Sequence, residues 1–144
     1  MYHYTSCGLP NIYLKNGYKE YDTPYGKGVA IEDVPGLHKA IALAIIESPS
    51  KLTGAEMKFL RKEMNLSQKR LGQLLAVEDQ TVANWEKKGP TSMAERFIRV
   101  VAMGHYEDDE VKGLIEKLAE LDIKEHDLFC FEESDQGWKE AIAA

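Results

Sequence analysis

From residue 54 onward, apolar side chains recur at helical spacing in five short blocks. Met57, Leu60 and Met64 share a face over 54–64, Leu71, Leu74 and Leu75 over 68–75, and Val82 and Trp85 over 79–87. Phe97, Val100 and Val101 do so over 93–104, and Val111, Leu114, Ile115, Leu118 and Leu121 over 109–121. Two entries carry a capping signal. Thr53-Gly54-Ala55-Glu56 and Ser92-Met93-Ala94-Glu95 fit S/T-x-x-E, in which the hydroxyl takes an orphan helix N–H and the carboxylate reaches back to the cap. No internal repeat or low-complexity tract interrupts the pattern.

The first fifty residues read differently. Residues 11–14 and 18–21 favour strands, and Lys15-Asn16-Gly17 between them contains the Asn-Gly pair that tolerates the positive φ of a tight turn, so a hairpin is expected. Thr23-Pro24-Tyr25-Gly26-Lys27-Gly28 reads as a loop, with a further strand possible over 29–32. Residues 37–47 are apolar enough for a largely buried helix, started by Asp33 and Pro35 and ended by Ser48-Pro49-Ser50. The expected fold is mainly α with a small N-terminal β element. Residues 1–50 form a hairpin-and-helix module, 51–121 a five-helix domain and 122–144 an acidic tail.

The chain of 144 residues is 44% apolar, which supplies a packed core. Its longest apolar run, 40–46, is far short of the roughly 20 residues a bilayer span needs, and no leader pattern opens the chain, so a cytoplasmic protein is expected. Cys7 and Cys130 lack the spacing of a disulfide framework or a zinc site. Three scattered ligands, Cys7, His3 and His38, are a weak metal set, and no metal or cofactor is expected. His3, His38, His105 and His126 have no nucleophile or carboxylate constellation around them in sequence, so no enzyme is expected. The formal charge of −6 is unevenly spread: −1 over 1–50, +4 over 51–104 and −9 over 105–144. A positive middle beside an acidic end fits either a nucleic-acid surface with a separate function next to it or a solubilising acidic tail.

The informative stretch for function is the segment 67–89, SQKRLGQLLAVEDQTVANWEKKG. Leu71, Leu75, Val77, Val82 and Trp85 face inward if two short helices cross steeply, and Gly72 lies where a side chain would hold them apart. Asp79, Gln80, Thr81, Ala83, Asn84 and Lys87 then face outward. Gln and Asn each donate to and accept from one base edge, most naturally N6 and N7 of adenine, and Gln80 and Asn84 share a face. Asp79 suits a cytosine amino group, and Thr81 or Ala83 a thymine methyl. Ser67, Gln68, Lys69, Arg70, Lys87 and Lys88 are the phosphate candidates. An inert helical hairpin is the alternative.

This segment resembles the helix-turn-helix of the XRE family, relatives of the phage 434 and lambda repressors. Gln68 stands where that family has a Gln that contacts phosphate and braces the recognition helix. Asp79, Gln80, Thr81 and Asn84 occupy its base-reading positions, and Trp85-Glu86-x-x-Gly89 its closing motif. The resemblance implies a lambda-repressor-like fold and a structural ion pair between Arg61 and Glu86. Ala76 departs from it, standing where the family has Gly at the turn.

The β-rich module ahead of this domain resembles the start of MqsA-type antitoxins, with Cys7-Gly8-Leu9 as the matching point. The second cysteine of each of that family's CxxC pairs is missing and Val34-Pro35-Gly36-Leu37-His38 has none, so zinc is not carried over. Tyr2, Tyr4, Tyr13, Tyr18, Tyr21 and Tyr25 either form a partner surface or pack the small sheet. Phe129, Phe131 and Trp138 either dock another chain or close the protein's own core with a strand and helix. The resemblances imply a repressor that binds a palindromic site on double-stranded DNA as a homodimer, with 109–121 or the N-terminal module as the dimer contact. The alternative is an antitoxin that also neutralises a toxin.

Overall fold

The computed structural model describes residues 1–119 and 129–141. Strand β1 (Tyr2–His3) pairs antiparallel with β2 (Tyr13–Leu14), and β3 (Tyr18–Thr23) with β4 (Gly26–Ile31). Six helices follow: α1 (Val34–Glu47), α2 (Gly54–Glu63), α3 (Gln68–Leu75), α4 (Asp79–Lys88), α5 (Ser92–Glu107) and α6 (Asp109–Ala119). The hairpin of β5 (Cys130–Ser134) and β6 (Gly137–Ala141) comes last.

The N-terminal strands pair differently from the sequence expectation. β2 turns back to the chain start, so Lys15-Asn16-Gly17 is a corner between two strand pairs, with Gly17 at φ +79° and its carbonyl accepting from Glu32 N at 2.9 Å. The hairpin forms one segment later. Thr23 opposes Gly26 across the two-residue tip Pro24-Tyr25, so of the stretch expected as a loop only this tip is a turn, and Thr23 and residues 26–28 are strand. Glycine at position 28 lets the Tyr21 ring lie across its strand neighbour, since an added Cβ would stand 2.5 Å from that ring. The Tyr2 and Tyr18 rings, 5.3 Å apart, join the two strand pairs.

Helix α1 starts as expected, with Asp33 accepting from Gly36 N at 3.1 Å and Pro35 in the first turn. Its Ile41, Ala42, Ile45 and Ile46 enter one buried cluster with Tyr4 and Leu9 of the loop between β1 and β2, Leu14 of β2, Met57 and Leu60 of α2, Leu71 of α3, Val82 of α4 and Ile98 of α5. The face expected for α2 is buried, and the capping box at Thr53 is complete in both directions. The second box is corrected. Thr91 caps α5, accepting from Ala94 N at 3.2 Å, while Glu95 is buried and accepts from Arg99 Nε at 3.1 Å. The α5 core face is also rotated from expectation: Ile98, Val101 and Ala102 are buried, whereas Phe97 and Val100 are exposed.

Helix α6 turns Ile115 into the core and sets Val111 against Gly104, leaving Leu114 and Leu118 exposed; Leu121 lies outside the described residues. The strand expected near Phe131 is present as β5, but Trp138 belongs to a second strand rather than a helix, and Phe129, Phe131 and Trp138 are exposed. Residues 122–128 and 142–144 of the acidic tail, with His126, lie outside the described residues. No helix among the described residues is long and apolar enough to cross a membrane.

Candidate nucleic-acid interface

Two left-handed residues shape the approach to α3 and α4. Asn65 (φ +56°) ends α2 and lets Leu66 N donate back to Arg61 O at 3.2 Å; Ala76 (φ +56°) ends α3 and lets Val77 N donate to Gly72 O at 2.9 Å. Asn tolerates this conformation, whereas alanine pays roughly 1 kcal/mol for it, the strain expected at this turn. Directly beneath, a Cβ on Gly72 would stand 2.7 Å from Val77 O, so only glycine lets the turn close onto α3. At the other end, a Cβ on Gly54 would collide with the Trp85 and Glu86 carbonyl oxygens, so the start of α2 sits against the last turn of α4.

The side chain that orients α4 is Glu86. Arg61 Nε donates to its Oε2 at 2.7 Å and Nη2 to its Oε1 at 3.1 Å, while Gln68 Nε2 reaches Oε1 at 3.2 Å. Arg61 Nη1 also donates to Leu66 O at 2.9 Å. The paired side chains are only 9% and 5% exposed, so water competes little for these bonds. One cluster thereby fixes α2, α3 and α4 to each other. Gln68 is thus turned toward the ion pair and ties the start of α3 to α4.

With Val82 buried and Trp85 half-buried, Asp79, Gln80, Asn84, Lys87 and Lys88 are exposed along α4, and Thr81 and Ala83 are half-buried beside them. Gln80 Nε2 donates to Asn84 Oδ1 at 3.2 Å, so the two amides already lie side by side with a donor and an acceptor left on each. Asp79 Oδ1 accepts from Gln80 N at 2.9 Å in the first turn of α4. Ser67 caps α3 by accepting from Arg70 N at 3.0 Å, and Lys69 is exposed in the first turn. Arg70 is the outlier among the phosphate candidates. It lines a cavity of about 560 Å³ with His105, Lys112, Glu116 and Lys117, on the α6 side of α3.

Two polar arrangements escaped the sequence reading. Tyr4 Oη and His38 Nε2 are 2.8 Å apart, His38 Nδ1 is 3.2 Å from Glu63 Oε2, and Tyr106 Oη donates to Glu63 Oε1 at 3.3 Å. Burial raises the pKa of both tyrosines, which keeps their hydroxyls protonated. Arg99 holds the exit of α1, donating to Ile46 O at 3.0 Å and also to the carbonyls of Ser48 and Ser50. The weak metal set does not assemble: Cys7 Sγ donates to Tyr4 O at 3.8 Å, His3 Nε2 lies 2.7 Å from Pro10 O, and His38 is held as above. Among the described residues, no cluster of three or more His, Cys, Asp or Glu is placed to hold a metal ion. Comparison with protein-family models, curated proteins and solved structures finds no match to this chain.

Proposed function

We propose that this chain is a sequence-specific DNA-binding regulator, a cytoplasmic repressor of the XRE type that grips a palindromic operator as a homodimer. Helices α2 to α6 serve as the lambda-repressor-like unit, and α4 enters the major groove. The observation that carries this reading is the buried Arg61–Glu86–Gln68 cluster, which rigidly orients α4 while leaving the Gln80 and Asn84 amides exposed together. A side-by-side pair of amides on a fixed helix matches adenine edges. Lys87, Lys88 and Lys69 supply the phosphate grip, and the excess of cations over 51–104 supplies attraction to the duplex.

Selection from a pool of random duplexes at physiological salt tests the proposal. Enrichment of one inverted repeat, with half-sites about one helical turn apart, is the expected result. Recovery of unenriched sequence would overturn it.

A second reading, compatible with the first, is an antitoxin. The exposed Tyr13, Tyr21 and Tyr25 of the N-terminal strands and Phe131 and Trp138 of the last hairpin favour it, because exposed aromatics are the usual anchors of protein partners. Co-expression with the product of an adjacent reading frame, followed by co-purification and rescue of growth, distinguishes it.

A further inference from the structure

The cavity of about 560 Å³ on the α6 side of α3 is bounded by the first turn of α3, the last turn of α5 and helix α6, with Met64 and Leu66 of the link between α2 and α3 in its wall. Its remaining walls carry charge. Arg70 comes from α3, His105 from α5, and Lys112, Glu116 and Lys117 from α6. Three cations against one carboxylate leave the described lining at +2 with the imidazole neutral. This positive cluster stands in the most acidic part of the chain: residues 105–144 carry −9, yet two of that segment's four lysines line this one hollow. Neither Lys112 nor Lys117 forms an ion pair among the described residues. The crowding of positive charge is felt at His105, whose imidazole is held below its ordinary pKa of 6.5 by burial and by Lys112, with Glu63 of α2 and Glu116 only partly offsetting them.

We infer that this cavity is a binding site for a small-molecule phosphate monoester, held by Lys112 and Lys117 with His105 and Arg70 around it. Two negative charges neutralise the lining, and a hollow with low-dielectric walls strengthens their attraction to it. The volume lies within the range of roughly 300–1,000 Å³ typical of small-ligand sites, so a phosphate group leaves room for a short organic substituent against Met64 and Leu66. A hollow bounded by three helices suits a single phosphate group better than the convex backbone of a duplex. The dianion also relieves the repulsion at His105. It favours the protonated imidazole, which then adds a donor and a third positive charge to the site, so binding and protonation reinforce each other. The inference does not depend on the DNA-binding proposal, because none of Lys112, Lys117 and His105 belongs to the α4 surface.

Histidine NMR of the full chain tests it, with sulfate as a probe that stays doubly charged throughout the titration, chloride at matched ionic strength as control, and His105→Gln to assign the signal. Sulfate is expected to raise the His105 midpoint by about one pH unit, which by linkage means about tenfold tighter binding to the protonated form. At pH 7.5 phenyl phosphate is expected to bind more tightly than sulfate, because its ring covers Met64 and Leu66. Lys112, Lys117 and Glu116 are exposed, so their variants are expected to keep the wild-type melting curve. Lys112→Gln with Lys117→Gln starts with a higher His105 midpoint, no longer responds to sulfate and binds it about tenfold or more weakly. Glu116→Gln does the reverse, starting lower and binding severalfold more tightly. A His105 shift that chloride reproduces, a lysine variant that still responds, or a Glu116→Gln protein that binds more weakly each overturns the inference. Random duplex that reproduces the shift without sulfate would give these cations to the DNA grip and overturn it too.

Discussion

Glu86 receives Arg61 through two nitrogens at 2.7 and 3.1 Å, a two-pronged pair that joins the last turn of α4 to the last turn of α2. Removing one partner strands a buried charge. Glu86→Ala or Arg61→Ala is expected to cost about 3–5 kcal/mol in urea unfolding, whereas replacing both with apolar residues of similar size costs far less. A loss under 1 kcal/mol for each single change would show that the pair is solvated in solution.

The turn between α3 and α4 makes two opposite predictions four residues apart. Ala76→Gly relieves a left-handed alanine and should raise stability by roughly 0.5–1 kcal/mol, read as a higher denaturant midpoint with an unchanged slope. Gly72→Ala should lower it, because its Cβ would press on Val77 O at 2.7 Å and wedge the helices apart.

On the selected operator, Gln80→Ala and Asn84→Ala should each lose about 1–3 kcal/mol of discrimination at individual base pairs. Lys87→Ala should instead weaken cognate and random duplex alike and lower the slope of log affinity against log salt by about one. Equal losses on both duplexes for all three variants would remove base reading from α4.

Burial holds the His105 imidazole below its ordinary pKa of 6.5, with Lys112 adding to the effect and Glu63 and Glu116 opposing it. The unfolded chain therefore binds the proton more readily than the folded one, so this group's contribution to stability is complete above pH 6.5 and falls as the pH drops below it. Thermal melts from pH 7.5 to 5.5 should show a decline that His105→Gln reduces. An unchanged decline in the variant would assign the effect to other groups.

Helices α2 to α5 were legible because their signals are local. The Thr53 box, the 3.6-residue spacing of Met57, Leu60 and Met64, and the small Gly72 all act within a turn or two of where they are written. The cap of α5 was missed by one residue because Thr91 and Ser92 are both competent caps, and only the chain's path after Pro90 decides between them. The pairing of β2 with β1 was not legible, since two-residue strands carry no alternation to fix a partner. Arg99 escaped for a similar reason: its acceptors are backbone carbonyls of residues 46, 48 and 50, which no side-chain pattern marks. Of the candidate site, the α4 residues and the Arg61–Glu86 pair stood out by spacing and resemblance. The exposure of Phe97 and Val100 did not, because an apolar residue at helical spacing reads as core until its neighbours are known.

The hydrogen-bonded line from Tyr4 through His38 and Glu63 to Tyr106 begins in the loop after β1 and ends in the last turn of α5. Position 50 falls between its first two members and its last two, so the line crosses the boundary drawn from composition. Shortening the chain to begin at that boundary would leave the Glu63 carboxylate facing only one of its two partners and uncover the sides of α2 and α5 against which α1 packs. The helical half thus borrows part of its interior from the first fifty residues. Calorimetry of the whole chain should accordingly record one cooperative transition spanning both, and a ligand that seizes the tyrosine-bearing strands would be felt as a change in the melting of the helices.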